Sequence, residues 1–177
     1  EHLTIIRHSG EHLLTLINNV LDVSKIEAGR LILNESAVDL FALLRDLEAM
    51  FSQKAAQKHL RLAFERAAAA PRMVCVDAGK LRQVLINLLN NAVKFTQTGG
   101  VTLRVSRAET DDPAARLLRF EVEDTGPGIA PDEIALLFQA FQQTQSGRQA
   151  QEGTGLGLAI SQRFVRLLGG HISAHSE

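Results

Sequence analysis

Apolar or small residues recur along the first segment in alternating steps of three and four: Leu3, Ile6, Gly10, Leu13, Ile17 and Val20, with Leu14 and Leu21 widening the seam. That heptad spacing predicts one long, coiled-coil-like helix over residues 2–28, with Gly29 as its stop. A lone helix cannot bury such a stripe. It calls for partner helices from another segment or chain, or for packing against the domain that follows. Residues 39–57 repeat the helical period with Leu40, Leu43, Leu44, Leu47 and Phe51 on one face.

Two short strand candidates come next, Arg61–Glu65 and Met73–Asp77, around an Ala-rich turn with Pro71. A helix is predicted from about Ala78 to Phe95, and Thr96–Gly100 reads as a turn. Val101–Arg107 and Leu117–Asp124 alternate apolar and polar residues and read as paired strands, with Glu109–Pro113 in a hairpin loop. Pro131 opens a short helix to Phe138. Residues 142–153, rich in Gln, Ser and Gly, read as a mobile loop. A last helix runs from Gly155 to Leu168 and stops at Gly169-Gly170. The mixture of helices and hairpin-connected strands predicts an α+β fold, a two-layer sandwich with helices on one face of a mixed sheet. The chain begins at Glu1 and ends in an alternating, strand-like stretch, His171–His175, so both ends read as cut from a longer protein.

Composition narrows the function classes. Lys and Arg total 19 against 20 Asp and Glu, so the domain carries no basic footprint for nucleic acid and no adhesive charge for an anionic membrane. A single cysteine, Cys75, excludes an internal disulfide and a multi-cysteine metal site. It suits a reducing, cytoplasmic setting. No apolar run reaches the length of a membrane span, whether or not the parent protein is membrane-anchored.

Three constellations carry candidate chemistry. Gln83, Asn87 and Asn91 fall at i, i+4 and i+8 on one face of the 78–95 helix, and Lys94 follows. Asn is a poor interior helix former, so the stripe is either a solvated face or a functional one. An amide oxygen suits Mg²⁺, which takes few protein ligands and fills its shell with phosphates and water; Lys94 would offer a point charge to a phosphate. The second constellation is Asp124-Thr125-Gly126-Pro127-Gly128-Ile129 at a predicted strand end. It reads as a turn, or as a carboxylate for an adenine amine beside glycines that let backbone approach a flat ring. The third, Gly153-Thr154-Gly155-Leu156-Gly157-Leu158, opens a helix, where backbone N–H groups bind phosphate. It follows no predicted strand and is not the dinucleotide fingerprint.

The order of these pieces is more specific than any one of them. RQVLINLLNNAVKFT (82–96) resembles the N box of sensor histidine kinases, DTGPGI (124–129) their G1 box, LFQAFQQ (137–143) their F box and GTGLGLAI (153–160) their G2 box. SGEHLLTLINNVLDVSKIEAG (9–29) resembles the second helix of their dimerisation and phosphoacceptor hairpin. The resemblance covers nearly the whole chain. It implies the ATPase fold of that family (Bergerat type). Residues 1–29 would be part of the hairpin, and 36–177 a C-terminally truncated ATP-binding catalytic domain.

The resemblance further implies ATP and Mg²⁺ as cofactors. Asn91 would ligate the metal, Asn87 would lie beside the triphosphate, Lys94 would reach a phosphate, and Phe95 would flank the adenine or ribose. Asp124 would hold the adenine amine in a pocket shaped by Gly126, Gly128 and Ile129. Residues 142–152 would form a lid anchored by Phe138 and Phe141, and Gly153, Thr154, Gly155, Leu156, Gly157 and Leu158 would cover the phosphates. Gln83 stands at a polar or acidic position of the N box, and an amide there cannot act as a general base.

The family's phosphoacceptor motif, like His-Glu-x-Arg-x-Pro, is absent. His2, His8 and His12 lie on the second-helix segment and do not match it, so the chain holds no catalytic residue of its own. The expected function is ATP-dependent phosphorylation of a histidine outside this chain. The phosphoryl group would then pass to an Asp of a response-regulator receiver domain, with the parent a homodimer through the N-terminal helix. The alternatives are a gyrase-, mismatch-repair- or chaperone-type ATPase on the same fold, which would not carry the 9–29 helix, and a non-catalytic scaffold, which would not keep all four boxes.

Overall fold

The computed structural model describes residues 32–108, 117–143 and 155–176, with Gly10, Ile17, Leu21 and Ser24 upstream. The chain divides into two units, one of residues 34–129 with 176–177, the other of 1–33 with 130–175. In the first unit the order is β1 (Ser36–Asp39), α1 (Leu40–Gln57), β2 (Arg61–Arg66), β3 (Met73–Val76), α2 (Ala78–Phe95), β4 (Gly100–Arg107) and β5 (Leu118–Asp124). The second contains α3 (Pro131–Ile134) and α4 (Gly157–Leu167).

The first unit holds a mixed three-stranded sheet in the order β2-β4-β5 and an antiparallel pair, β1-β3. β2 and β4 run parallel, from Arg61 opposite Gly100 to Arg66 opposite Val105, and the connection between them carries β3 and α2. Parallel neighbours need such a crossover. β4 and β5 run antiparallel, and Val101 stands opposite Asp124.

Alternation along β4 divides the sheet into two faces. Val101, Leu103 and Val105 are buried in one cluster with Leu40, Leu43, Leu44, Leu47 and Phe51 of α1 and with Leu81, Leu85, Leu89 and Val93 of α2. Burying each such side chain contributes roughly 1.5–3 kcal/mol, so this helix-on-sheet layer dominates the fold. On the other face Arg104 pairs with Glu65 of β2, Nε to Oε2 2.8 Å, and with Glu123 of β5. These ion pairs are exposed and add little stability, but they mark the face as polar.

Both long helices start on an aspartate. The Asp39 carboxylate accepts the Ala42 N–H at 3.0 Å and pairs with Arg72. Asp77 accepts the Lys80 N–H at 3.0 Å through Oδ1 and the Asn34 N–H at 2.9 Å through Oδ2. Asp77 is buried. Burial pushes its carboxyl up, but the N–H donors of Asn34, Lys80 and Gly79, with the Lys80 charge, outweigh this and hold it below the ordinary value.

Several elements differ from the pattern-based reading. β1 was not predicted, because Ser36–Asp39 is too short to show a period; its pairing with β3 creates it. The short helix does not reach Phe138. After Ile134 the bonds tighten to the i−3 type, Leu136 N–H to Glu133 O and Gln139 N–H to Leu136 O, each 3.0 Å. α4 starts at Gly157 rather than Gly155. Residues 171–176 form no strand, since alternation makes a strand only where a ladder partner exists. Most of the 2–28 helix lies outside the described residues, as do the 109–113 loop and most of 142–153. Gly10, Ile17, Leu21 and Ser24 are helical and exposed.

The Asp77 cap is a test of this architecture. Asp77→Ala should lower unfolding stability by about 1–2 kcal/mol. Its folded-state pKa lies below the unfolded one, so the stabilisation is complete above the unfolded value and is lost as pH falls through the folded value. Denaturant titrations of wild type and Asp77→Ala should therefore draw together below about pH 4. A gap that widened on acidification would contradict this account of the cap.

Candidate functional site

The apolar face of α2 fixes where its polar residues go. With Leu81, Val84, Leu85, Leu89, Ala92 and Val93 buried, Gln83, Asn87 and Asn91 stand half-buried at one-turn intervals. Asn90 faces α1, and its Oδ1 accepts a hydrogen bond from Lys54 Nζ at 3.2 Å. The Asn91 amide is different: among the described residues no group hydrogen-bonds it. At the helix end the Lys94 ammonium lies 5.1 Å from the Phe95 ring centroid, within cation–π range.

The last turn of α2 and the turn after β5 are tied together. Thr96 is fully buried, and its hydroxyl lies 3.4 Å from Asp124 Oδ1. The same oxygen accepts the Gly126 N–H at 2.8 Å. Oδ2 accepts no hydrogen bond among the described residues, and Asp124 is exposed. A Cβ at Gly126 would stand 2.6 Å from Asp124 Oδ1, so a larger residue here would push that carboxylate out of place.

Thr125 makes the second tie. Its hydroxyl donates to Thr98 O at 2.8 Å and accepts the Gly100 N–H at 3.0 Å. Gly99 has φ +94°, and a Cβ there would come within 2.2 Å of Thr125 Oγ1. Beyond it, the Ile129 N–H donates to Ser176 Oγ at 2.7 Å. Phe95, Asp124 and Gly126 are thus brought together, with α2 packed against β5.

In the second unit Gly155 has φ +69°, and its carbonyl accepts the Phe141 N–H at 3.0 Å. A Cβ on Gly155 would lie 2.8 Å from Gln142 O. Phe141 itself has φ +64° and a ring that is 73% exposed, so its backbone, not its ring, makes this anchor. Phe138 is half-buried. Leu156 is buried; Gly157 and Leu158 are half-buried, and the N-cap residue of α4, Leu156, makes no cap hydrogen bond with its own side chain. Gly153 and Thr154 lie outside the described residues.

Two participants carried no role in the sequence reading, Thr96 and Lys58. Thr96 stands inside the quoted N-box stretch, but nothing in its type announces a bond to Asp124. Lys58, just past α1, donates to the carbonyls of Val93 at 2.8 Å and Lys94 at 2.7 Å, with Thr96 O at 3.4 Å. No sequence signal marks it, because its partners are backbone atoms distant in the chain. Among the described residues no cluster of His, Cys, Asp and Glu could hold a metal, and no helix is long and apolar enough to cross a membrane.

Comparison with known proteins identifies the family. Residues 76–177 match the family of histidine kinase-, DNA gyrase B- and HSP90-like ATPases. The aerobic respiration control sensor protein ArcB of Escherichia coli (strain K12) is 40% identical over 179 residues, covering 100% of this chain and 22% of ArcB. The sensor protein GacS of Pseudomonas syringae pv. syringae is 38% identical over 177 residues, covering 99% of this chain and 19% of GacS. The chain therefore spans about a fifth of the length of these relatives. Among solved structures, full-length ShkA in complex with AMPPNP superposes with a TM-score of 0.79 at 38% identity, over 99% of this chain and 36% of ShkA. The chain belongs to the histidine kinase-, DNA gyrase B- and HSP90-like ATPase family, as the ATP-binding catalytic domain of a sensor histidine kinase.

Proposed function

We propose that the parent protein transfers the γ-phosphoryl group of ATP to a histidine nitrogen on a hairpin helix outside this chain, for passage to a receiver-domain aspartate. Residues 1–29 would supply the second hairpin helix and the homodimer contact, and 36–177 the nucleotide-binding domain. The observation that carries the reading is the Asp124 carboxylate. One oxygen is fixed by the Gly126 N–H and the Thr96 hydroxyl; the other accepts nothing among the described residues, and the residue is exposed, which suits a receptor for an exocyclic amine.

The donor set also fits a hard cation. Asn91 offers a half-buried amide oxygen with no competing hydrogen bond among the described residues. Mg²⁺ held there with nucleotide phosphates would neutralise their charge. Lys94 would reach a phosphate, and Asn87 would lie beside the triphosphate. Phe95, Gly126, Gly128 and Ile129 would shape the adenine side, and Phe138 would support the lid. The α4 start, from Gly153 and Thr154 through Gly155, Leu156, Gly157 and Leu158, would present backbone N–H groups to anionic oxygens. Phosphoryl transfer demands mainly positioning and charge stabilisation, which is what these residue types supply. ShkA, 38% identical, was solved with AMPPNP, an ATP analogue, which supports the nucleotide assignment.

Calorimetric titration with ATP tests the two halves separately. Asp124→Ala removes an acceptor for a hydrogen bond worth about 1.5–3 kcal/mol and should weaken ATP binding by about tenfold to a hundredfold, measured well below a Tm that falls modestly because the buried Thr96 hydroxyl loses its partner. Wild-type affinity in that variant would end the adenine assignment. Asn91→Ala should abolish most of the Mg²⁺ dependence of ATP binding while sparing adenosine. Equal losses for both ligands would move the metal elsewhere.

A further inference from the structure

The ties through Thr96 and Thr125 leave the terminal carbonyls of α2 to be satisfied by other groups. A helix ends with carbonyls that no further turn can satisfy, and its C-terminus is the negative end of the dipole. At α2 these groups meet a single cation, the Lys58 ammonium, 2.8 Å from Val93 O and 2.7 Å from Lys94 O, with Thr96 O at 3.4 Å. Three positions at one helix end thus converge on one point charge.

The chain is bent to deliver it. Lys58 is the C-cap of α1, and its own N–H bonds back to Ala55 O at 3.1 Å. His59 then adopts a left-handed φ of +56°, and the Leu60 N–H returns to Ala55 O at 2.9 Å. Few non-glycine residues adopt that conformation, though His does so more readily than most, and it falls at the residue that follows Lys58. The residues whose carbonyls Lys58 binds also bear the site's side chains: Lys94 is one of them, Thr96 donates to Asp124, and Phe95 lies between.

We infer that Lys58 is a positioning residue of the nucleotide site: by gathering the terminal carbonyls of α2, it sets the Thr96–Asp124 contact and the placement of Lys94 and Phe95. It touches neither nucleotide nor metal. Lys54 provides an internal comparison. It leaves the same helix one turn earlier and bonds α2 at Asn90 Oδ1, 3.2 Å away, upstream of the terminal carbonyls.

The inference rests on the nucleotide reading above, so the experiment carries a control for it. ATP affinity and Tm are measured on this chain as wild type, Lys58→Met, Lys58→Arg, Lys54→Met and Asp124→Ala. Lys58→Met should weaken ATP binding about tenfold, the value of one charged hydrogen bond, at temperatures well below its Tm. Lys58→Arg, whose fork still spans two carbonyls, should recover most of the loss. Lys54→Met should leave ATP affinity unchanged whatever it does to Tm. Wild-type affinity in Lys58→Met, or parallel affinity losses in both lysine variants, would overturn the inference. If Lys58→Met does not fold, Lys58→Gln takes its place: weakened ATP affinity at retained Tm supports the inference, and wild-type affinity overturns it. Unchanged binding in Asp124→Ala would instead strike the adenine assignment, independently of Lys58.

Discussion

Everything proposed for this domain depends on how one helix stops. α2 is anchored along its length by apolar burial, but its last turn has to leave the core, turn at Gly99 and enter β4 as the sheet's central strand. At that point the backbone groups of the turn are satisfied by side chains from elsewhere in the fold. The Thr125 hydroxyl takes Gly100 N–H and Thr98 O, and the Lys58 ammonium takes the helix carbonyls. Polar groups buried without partners cost about 1–3 kcal/mol each, so the part-buried ties, Thr125 to Gly100 N–H and Lys58 to Val93 O, stabilise the turn. They also bring Asp124 beside Thr96.

Division of labour along α2 follows from its period. One face is committed to the cluster shared with α1 and β4, and that commitment turns Gln83, Asn87 and Asn91 to a common outer stripe. Asn90, one residue before Asn91, falls on a different side and is held by Lys54. Two adjacent asparagines therefore have different physical situations, one bonded to α1 and one with its amide uncommitted among the described residues. The difference is set by a helical step of about 100° per residue, not by the residue type.

This contrast shows what the sequence could and could not disclose. The helices α1 and α2, the hairpin strands β4 and β5 and the Asp-Gly turn were legible because each rests on local signals: a period, a strand alternation, a glycine where no Cβ fits. The Asn stripe was legible for the same reason. β1 was not, since four residues carry no period and only β3 makes them a strand. Lys58 was not, since a lysine past a helix reads as solvated. Its partners lie about 35 residues away as backbone carbonyls, which no side-chain pattern encodes. The early end of α3 also escaped the pattern, because Leu136 and Phe138 continue an apolar rhythm while the backbone has already tightened.

At Asn91, toward the C-terminal end of α2, an amide brings no negative charge to the negative pole of the helix dipole. An aspartate there would bind a cation more strongly, yet it would be destabilising whenever the cation was absent. An amide oxygen avoids that penalty and, on the proposed reading, would leave most of the ligation to the nucleotide's own phosphates, in keeping with how Mg²⁺ is usually held. The same reasoning accounts for the cations nearby. A polyanion engaged by Asn91 and Lys94 would meet the negative pole of α2, so the ammonium of Lys58 on the terminal carbonyls offsets the dipole where it would otherwise oppose binding. On the proposed nucleotide reading, one charge would serve both structural capping and ligand electrostatics, and Lys58 would couple the stability of the fold to the affinity of the site.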